Sequence, residues 1–320
     1  MTTVPHEQLQ RVLAPLSGRD YLSSTDADAD QTRALLDLAL QLKSGERRID
    51  LSGRILGLIF TKASTRTRVS FNVAMARLNG QTLDLNPAVT QVGRGEPLED
   101  TARVLSRYCD VLAVRTYDHE ELERYAHWAT VPVVNALTDL EHPCQALADY
   151  LTMEEHFGAL QGLTMAYVGD GNNVAHSLVL AGALLGVNVT LACPQGYDPD
   201  AALMERAGVL AQSNGCRVQV VREPLEAVRG AHALYTDVWA SMGQEEEQAI
   251  REKAFRGYCL DETLLSEADA RAIVLHCLPA HRGEEISAGV MEGEASRVFD
   301  QAENRLHAQQ ALLAALMGGV

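Results

Sequence analysis

The stretch ILGLIFTKASTRTRVSFNVAMARLNG, residues 55–80, joins an apolar run to a polar turn and then to a helical pattern. The run ILGLIF is typical of a strand buried on both faces of a parallel sheet. Apolar residues then recur at Val69, Val73 and Ala76, which is the spacing of a helix, and Gly80 is expected to end that helix in a left-handed conformation. The segment STRTR therefore lies at a strand-to-helix turn.

The same alternation of apolar runs and amphipathic segments continues along the chain. Further strands are predicted in VLAVRTY, VPVVNAL, TMAYVGDG, NVTLACP, RVQVVR, ALYTDVW and AIVLHCLP. Strands separated by helices predict an α/β protein with parallel sheets, and the length of 320 residues favours two domains. We expect each domain, residues 1–150 and residues 151–299, to hold one parallel β-sheet flanked by helices, with interdomain helices joining them. The final helix, about residues 300–318, is expected to pack back on the first domain.

The composition is that of a folded protein with a strongly acidic balance. The chain has 27 Lys and Arg residues and 43 Asp and Glu residues, which gives a formal net charge of -16 at pH 7. Nucleic acids and anionic membranes attract basic surfaces, so partners of both kinds are not expected. The opening MTTVPHEQLQ does not resemble a secretion signal, and Gly186 and Asn188 interrupt the longest apolar region. Six scattered cysteines without CxxC spacing fit a reducing compartment, so we expect a cytoplasmic protein.

In this acidic chain the basic turn indicates an anion site. Ligands of open parallel sheets bind beyond the carboxyl ends of strands, where helix N-termini present unpaired N–H groups. The hydroxyls of Ser64, Thr65 and Thr67 can cap the helix or bind phosphate oxygens, and Arg66 can hold them in a bidentate fork. Arg68 lies two positions further and cannot share a helical face with Arg66. A plain helix cap with exposed arginines is the alternative interpretation.

Further motifs follow in order: QVGRGEP, AVRTY, EHPCQ, DVWASMG, HCLPAHRGEE and AENR. With these motifs the sequence closely resembles the carbamoyltransferase family from about Arg19 to the last helix. Its HPCQ, SMG and HCLP segments resemble the ornithine-specific branch. The resemblance implies transfer of a carbamoyl group from carbamoyl phosphate to the side-chain amine of L-ornithine, giving L-citrulline and phosphate, as in arginine biosynthesis. It also implies a homotrimer with active sites at subunit interfaces.

The resemblance assigns residues to carbamoyl phosphate, the first substrate. The STRT turn would bind its phosphate, and the backbone carbonyl of Leu278 its nitrogen. Arg115 would bridge phosphate and carbonyl, His142 would bind the carbonyl oxygen and Gln145 the carbamoyl nitrogen. The full set that this implies is Ser64, Thr65, Arg66, Thr67, Gln91, Arg115, His142, Gln145, Cys277, Leu278 and Arg305. Gln91 matches a glutamine that reaches the site of a neighbouring subunit.

For ornithine, the resemblance implies contacts in the second domain, from Asn173, Asp237, Ser241 and Met242. Direct attack by the amine needs no enzyme nucleophile, and negative charge then builds on the carbonyl oxygen. We expect Arg115, His142 and Thr67 to stabilise that oxygen. The resemblance places Cys277 beside the attacking amine and implies Arg115, His142, Asp237 and Cys277 as the catalytic residues. No cofactor is expected, and no metal, because the cysteines and histidines lack structural-zinc spacing.

Three other interpretations remain open. The segment VGDGNNV invites a dinucleotide site, although Val174 replaces its third glycine and no acidic residue ends the next strand. The acceptor amine could be putrescine, an acylated ornithine or aspartate. The chain could also be a catalytically silent binding subunit, although every proposed ligand residue is present.

Overall fold

Two all-parallel sheets organise the chain in the computed structural model, which describes residues 4–62, 64–85, 95–240 and 247–320. Helices flank both sheets along the chain, so the predicted α/β class is confirmed. The chain divides into two compact units. Unit 1 comprises Met1–Leu151 with Asn304–Val320, and unit 2 comprises Thr152–Glu303. Within the described ranges, no helix is both long enough and apolar enough to cross a membrane.

Unit 1 contains a four-stranded sheet in the order β2-β1-β3-β4. Its strands are β1 (Ile55–Phe60), β2 (Gln81–Leu85), β3 (Val111–Arg115) and β4 (Val133–Leu137). Its helices are α1 (His6–Leu13), α2 (Ala29–Ser44), α3 (Thr65–Arg77), α4 (Leu98–Leu105) and α5 (His119–Trp128), with a short 3-10 turn at Ala14–Leu16. Helix α6 (Pro143–Phe157) begins in this unit and α13 (Val298–Leu316) ends in it.

Unit 2 contains a five-stranded sheet in the order β7-β6-β5-β8-β9. Its strands are β5 (Thr164–Val168), β6 (Asn188–Ala192), β7 (Val218–Val221), β8 (Ala233–Thr236) and β9 (Ile273–His276). Its further helices are α7 (Asn173–Leu185), α8 (Ala201–Ser213), α9 (Pro224–Val228), α10 (Gln248–Ala254), α11 (Glu262–Ser266) and α12 (Ala288–Met291). Helix α7 is buried along almost its whole length, because its residues are apolar on every face.

The strand register brings the carboxyl ends of neighbouring strands together. In unit 1, Phe60 at the end of β1 pairs with Arg115 at the end of β3. In unit 2, Thr236 at the end of β8 pairs with Val168 of β5 on one side and with His276 of β9 on the other. Since neighbouring strands lie about 4.8 Å apart, the loops that follow these ends are close neighbours.

Helix α3 differs from its predicted form in two respects. Val69 and Val73, whose spacing predicted the helix, are 53% and 37% exposed, whereas Phe71 and Met75 are fully buried, so the helix packs on the face of Phe71 and Met75. The left-handed residue after the helix is Asn79, with φ 59, and not Gly80. Gly80 is needed for space, because a Cβ there would lie 2.3 Å from the Met75 side chain and 3.2 Å from a backbone oxygen. Strand β2 was not predicted, since the polar QTLDL forms an exposed sheet edge.

The loop between β5 and α7 depends on a close backbone contact at Gly171. A Cβ at this position would lie 2.2 Å from the backbone nitrogen of Pro199. The Gly171 N–H also donates to the carbonyl of Tyr197 at 3.0 Å. The second glycine of GDG therefore lets two loops of unit 2 pack together.

We expect Gly171→Ala to lower the free energy of unfolding by about 1–3 kcal/mol, because a backbone atom cannot rotate away from the new methyl group. Gly208→Ala in α8 is the matched control, since a Cβ at that position would have nothing within 4 Å. It should raise the stability by about 0.5–1 kcal/mol through helix propensity. Urea unfolding of both variants measures the difference, and equal stabilities would contradict the close-packing argument.

Candidate active site

The basic turn forms the N-terminus of helix α3. Ser64 is the N-cap, and its Oγ accepts a hydrogen bond from the Thr67 N–H at 3.2 Å. This bond satisfies one of the open N–H groups of the first turn and leaves the Ser64 hydroxyl proton available to a ligand. Thr65 and Arg66 are exposed at the same turn. The predicted hydroxyl and guanidinium groups thus occur together at a helix N-terminus.

Arg68 is engaged away from this turn. Its guanidinium forms an ion pair with Asp84 and lies over the Phe60 ring, 5.3 Å from the centroid. The two arginines of the STRTR segment therefore differ, and Arg66 is the one that has no carboxylate partner among the described ion pairs.

The hydroxyl of Thr67 is the point where two arginines converge. Arg305 donates to its Oγ1 at 2.8 Å and Arg115 donates to it at 3.3 Å, and all three residues are buried. A hydroxyl has two acceptor lone pairs and one proton, so the two arginines occupy the lone pairs and leave the proton to be donated. The arrangement concentrates two positive charges around a single O–H donor, which favours an anionic or strongly polarised oxygen.

His142 adds a neutral donor or acceptor to this cluster. It is 4% exposed and precedes helix α6, and its carbonyl accepts hydrogen bonds from the Gln145 and Ala146 N–H groups. Burial, together with the positive charges of Arg305 and Arg115, holds the pKa of His142 well below its ordinary value of 6.5. The imidazole is therefore neutral at pH 7, and one of its nitrogens carries a proton.

The next site residue, Gln145, is fixed on the first turn of α6. Its Nε2 donates to Asp149 Oδ1 at 2.7 Å, and the side chain is 1% exposed. Its Oε1 has no hydrogen-bond partner among the described residues. Because a buried carbonyl oxygen without a partner is costly, this atom is an available acceptor for an N–H group.

Hydrogen bonds to the Glu141 carboxylate fix the residue before His142, and nothing in the sequence predicted them. Glu141 is 1% exposed and accepts bonds from the Ser23 Oγ at 2.6 Å, the Ser24 Oγ at 2.8 Å and the Ser24 N–H at 3.0 Å. These contacts join residues more than a hundred positions apart, so no local spacing could indicate them.

In unit 2, the Asp237 carboxylate, just after β8, accepts hydrogen bonds from three donors. Its Oδ2 accepts from Asn172 Nδ2 at 2.8 Å, and its Oδ1 accepts from the Cys277 thiol at 2.9 Å and from the Val238 N–H at 2.8 Å. Asn172 also caps helix α7, which begins at Asn173. The structure therefore brings Asp237 and Cys277 into direct contact and places Asn173 beside the cap.

The segment HCLP follows strand β9 and is held by His276. The His276 Nδ1 accepts from the Leu278 N–H at 2.8 Å, and its Nε2 lies 3.1 Å from Glu285 Oε1. Leu278 adopts a left-handed backbone with φ 61, and the peptide bond between Leu278 and Pro279 is cis. A left-handed non-glycine residue is costly, which is typical of backbone held in place for function.

Three predicted residues, Gln91, Ser241 and Met242, lie outside the described ranges. Of the remaining residues, unit 1 brings together Thr67, Arg115, His142 and Arg305 around one point, with Ser64, Thr65, Arg66 and Gln145 on the adjoining turns. Unit 2 brings together Asn173, Asp237, Cys277 and Leu278 on the loops after three neighbouring strands.

Two groups of side chains in the described residues have metal-ligating atoms within 4.8 Å of one another. One consists of Asp237, His276 and Cys277, and the other of His281, Glu284 and Glu285. In the first group both ring nitrogens of His276 already contact other groups, so metal binding would break one of those contacts. The second group is partly exposed at the surface.

We expect the ring signals of His142 to stay at the neutral position down to pH 5.5 in nuclear magnetic resonance of histidine-labelled protein. A histidine with a pKa of about 6.5 would be about nine-tenths protonated there. In the unfolded chain the His142 imidazole has its ordinary pKa and takes up a proton below about pH 6.5, whereas in the folded protein it stays neutral. Acidification below about pH 6.5 should therefore lower the free energy of unfolding. His142→Gln identifies the signal, and Arg305→Met should raise the pKa. A His142 signal that titrates near pH 6.5 would contradict the burial argument.

Comparison with known proteins assigns most of the chain to one family. Residues 19–155 match the family model described as "Aspartate/ornithine carbamoyltransferase, carbamoyl-P binding domain", and residues 161–316 match its "Asp/Orn binding domain". The ornithine carbamoyltransferase of Parasynechococcus marenigrum (strain WH8102) is 74% identical over 308 residues, 96% of each chain.

Solved structures agree with the sequence comparison. The crystal structure of ornithine carbamoyltransferase from Gloeobacter violaceus has a TM-score of 0.87 at 56% identity, covering 94% of this chain and 99% of that one. The ornithine carbamoyltransferase from Pyrococcus furiosus has a TM-score of 0.91 at 49% identity, covering 95% of this chain and 99% of that one. The resemblance found in the sequence is confirmed, and this chain belongs to the aspartate/ornithine carbamoyltransferase family.

Proposed function

We propose that this chain transfers the carbamoyl group of carbamoyl phosphate to the side-chain amine of L-ornithine, giving L-citrulline and phosphate. The observation that carries the proposal is the convergence of Arg115 and Arg305 on the Thr67 hydroxyl at the end of the STRT turn. Curated relatives that are 62–74% identical to this chain carry the name ornithine carbamoyltransferase, which supports ornithine as the acceptor. The scattered cysteines support a cytoplasmic location.

Carbamoyl phosphate would bind through its phosphate at the α3 N-terminus. Ser64, Thr65, Arg66 and Thr67 supply hydroxyls, a guanidinium and open N–H groups, and the helix dipole favours negative charge there. Each charge-assisted hydrogen bond contributes about 1.5–3 kcal/mol, so several together account for micromolar binding of about 8 kcal/mol. Arg115 and Arg305 would add their charges from the side of Thr67.

The carbonyl oxygen gains negative charge as the amine attacks. Thr67, Arg115 and His142 would donate to that oxygen, and fixed donors of this kind can stabilise a transition state by about 3–4 kcal/mol each. A neutral His142 suits this role because it donates without adding to the charge of the two arginines. The open Oε1 of Gln145 and the carbonyl of Leu278 would accept hydrogen bonds from the carbamoyl nitrogen.

Ornithine would be held by Asn173 and Asp237, with Ser241 and Met242 as further ligands from outside the described ranges. In the reaction a C–N bond forms and the bond from carbon to the phosphate oxygen breaks. The ammonium nitrogen loses one proton before the attack and one after it, and keeps the third. An amine with a pKa near ~10.4 costs about 4.6 kcal/mol to present neutral at pH 7. The departing phosphate can accept the proton that the nitrogen releases, and Cys277 would lie beside the attacking amine.

We expect the purified protein, given carbamoyl phosphate and equimolar amines in parallel, to use ornithine at least about 100-fold faster than putrescine, acetylornithine or aspartate. The reason is that Asp237 suits an acceptor with a free α-ammonium group, which acetylornithine lacks. Putrescine keeps that amine but lacks the α-carboxylate, and aspartate has no side-chain amine. Formation of the ureido product measures the rate. Preference for another amine would refute the acceptor assignment, and no product with any amine would favour a silent binding subunit.

A matched pair of arginine variants controls this experiment. Arg66→Met should raise the KM for carbamoyl phosphate at least about tenfold, because one bidentate phosphate ligand is lost. Arg68→Met, two positions away, removes a charge that Asp84 already neutralises and should change that KM less than threefold. Equal effects of the two variants would mean that the turn contributes only general positive charge.

We also propose that the chain assembles as a homotrimer through unit 1, with Gln91 reaching a neighbouring subunit. Val69 and Val73 lie four positions apart on α3 and are exposed, and Leu83 of β2 is exposed as well. Helix α3 and strand β2 contact each other and would carry such an interface, since exposed apolar patches typically mark interaction sites.

Val69→Glu should shift the mass measured by light scattering from three chains toward one, because it buries a charge in the proposed interface. Val209→Glu, on α8 in unit 2, is the control, since Val209 is 62% exposed and lies outside the proposed surface. It should leave the mass unchanged. A wild-type mass other than three chains, or a trimer that survives Val69→Glu, would contradict this interface.

A further inference from the structure

Arg251 is a buried cation of unit 2 to which the sequence analysis gave no role. It lies in helix α10, and its side chain is 7% exposed. Its Nη1 donates to Asp170 Oδ2 at 2.8 Å and to the carbonyl of Trp239 at 2.8 Å. Its Nε donates to Glu247 Oε2 at 3.0 Å. A planar guanidinium can make these bonds simultaneously from separate nitrogens, whereas a lysine ammonium carries its three N–H donors on one atom.

The two acceptors of Nη1 lie on different loops. Asp170 lies in the loop between β5 and α7, and its carbonyl accepts from the Asn172 N–H at 2.7 Å. Trp239 follows β8, two residues after Asp237. These are the loops that carry the proposed ornithine ligands Asn173 and Asp237, and Asn172 links them again by its bond to Asp237. Arg251 therefore ties both ligand-bearing loops to α10.

Aromatic side chains pack beside the Arg251 guanidinium. Its central carbon lies 5.0 Å from the centroid of the Tyr197 ring, and Tyr197 packs edge-on against Phe255 at 4.8 Å. Trp239 stacks on the same Phe255 ring at 5.8 Å. The Arg251 and Asp170 side chains are only 7% and 10% exposed, so the alternative to their ion pair is an uncompensated buried charge and not a hydrated one.

The charge of Arg251 also compensates an acidic neighbourhood. Burial raises the pKa of Asp170, the positive charge of Arg251 lowers it, and the negative charges of Asp237 and Glu247 raise it again. Removing the arginine would leave Asp170 buried near a second carboxylate. The Asp170 carboxylate would then take up a proton, or its loop would move toward solvent. In both cases the loop of Asp170 is no longer joined to the Trp239 segment through Arg251.

We propose that Arg251 is a positioning residue for ornithine, which holds the loops of Asn173 and Asp237 at the separation that the amino-acid substrate requires. This inference rests on the proposed function. It assigns Arg251 no contact with substrate: the residue acts through Asp170 and the Trp239 carbonyl. The expected consequence is a selective loss of ornithine affinity. The residues assigned to the phosphate group lie in unit 1, and Cys277 and Leu278, assigned to carbamoyl phosphate in unit 2, follow β9, whereas Arg251 bonds the loops after β5 and β8.

The test measures both KM values for the wild type and for Arg251→Met. We expect the KM for ornithine to rise at least about tenfold and the KM for carbamoyl phosphate to change less than threefold. Arg271→Met is the matched control, because Arg271 forms an exposed ion pair with Asp269 before strand β9 begins. It should leave both values within twofold. An Arg251→Met enzyme with an unchanged ornithine KM, or with both KM values raised equally, would overturn the proposal.

If Arg251→Met does not fold, two more conservative variants still test the proposal. Arg251→Lys retains the charge but cannot bond Asp170, Trp239 and Glu247 together, so its ornithine KM should lie between wild type and Arg251→Met. Asp170→Asn retains an oxygen acceptor for Arg251 and should change the ornithine KM less than Arg251→Lys does. The reverse order would overturn the proposal. A wild type that forms no citrulline would instead refute the proposed function, before any variant is compared.

Discussion

The parallel register of the strands is the constraint on which the candidate site depends. Every strand of both sheets runs in the same direction as its neighbours, so each sheet has one edge at which all strands end. The STRT turn and Arg115 follow from the paired ends of β1 and β3, and Asp237 and Cys277 follow from the paired ends of β8 and β9. A shift of one residue in either pairing would displace the segments that follow these strands relative to each other.

The charged side chains of the two units have different kinds of hydrogen-bond partner. In unit 1 a neutral hydroxyl, that of Thr67, accepts from two arginines, and this contact does not neutralise their positive charge. In unit 2 Asp237 accepts from a thiol, an amide and a backbone N–H, which orient the carboxylate without neutralising it. Arg251 and Asp170 form a buried ion pair instead, which suits a structural tie because its charges compensate each other.

Local patterns in the sequence predicted the parts of the fold that local physics decides, whereas features that depend on distant partners were missed or misplaced. The run ILGLIF became strand β1, and Ser64 became the N-cap of α3, because apolar continuity and capping chemistry act over a few residues. The exposed valines of α3 look like a core face in sequence, because periodicity does not distinguish a core from a surface that another subunit would cover. Arg251 gave no signal either, since its partner Asp170 lies 81 positions away.

The position of Asp237 also restricts its role under the proposed function. A carboxylate beside an ammonium stabilises the charged form and raises the pKa of the amine. Contact with the side-chain amine of ornithine would therefore add to the ~4.6 kcal/mol that deprotonation already costs at pH 7. Contact with the α-ammonium carries no such penalty, because that group stays charged throughout the reaction. The carboxylate thus serves best as a binding group for the α-ammonium, and Cys277, which donates its thiol proton to Asp237, would separate that carboxylate from the nucleophile.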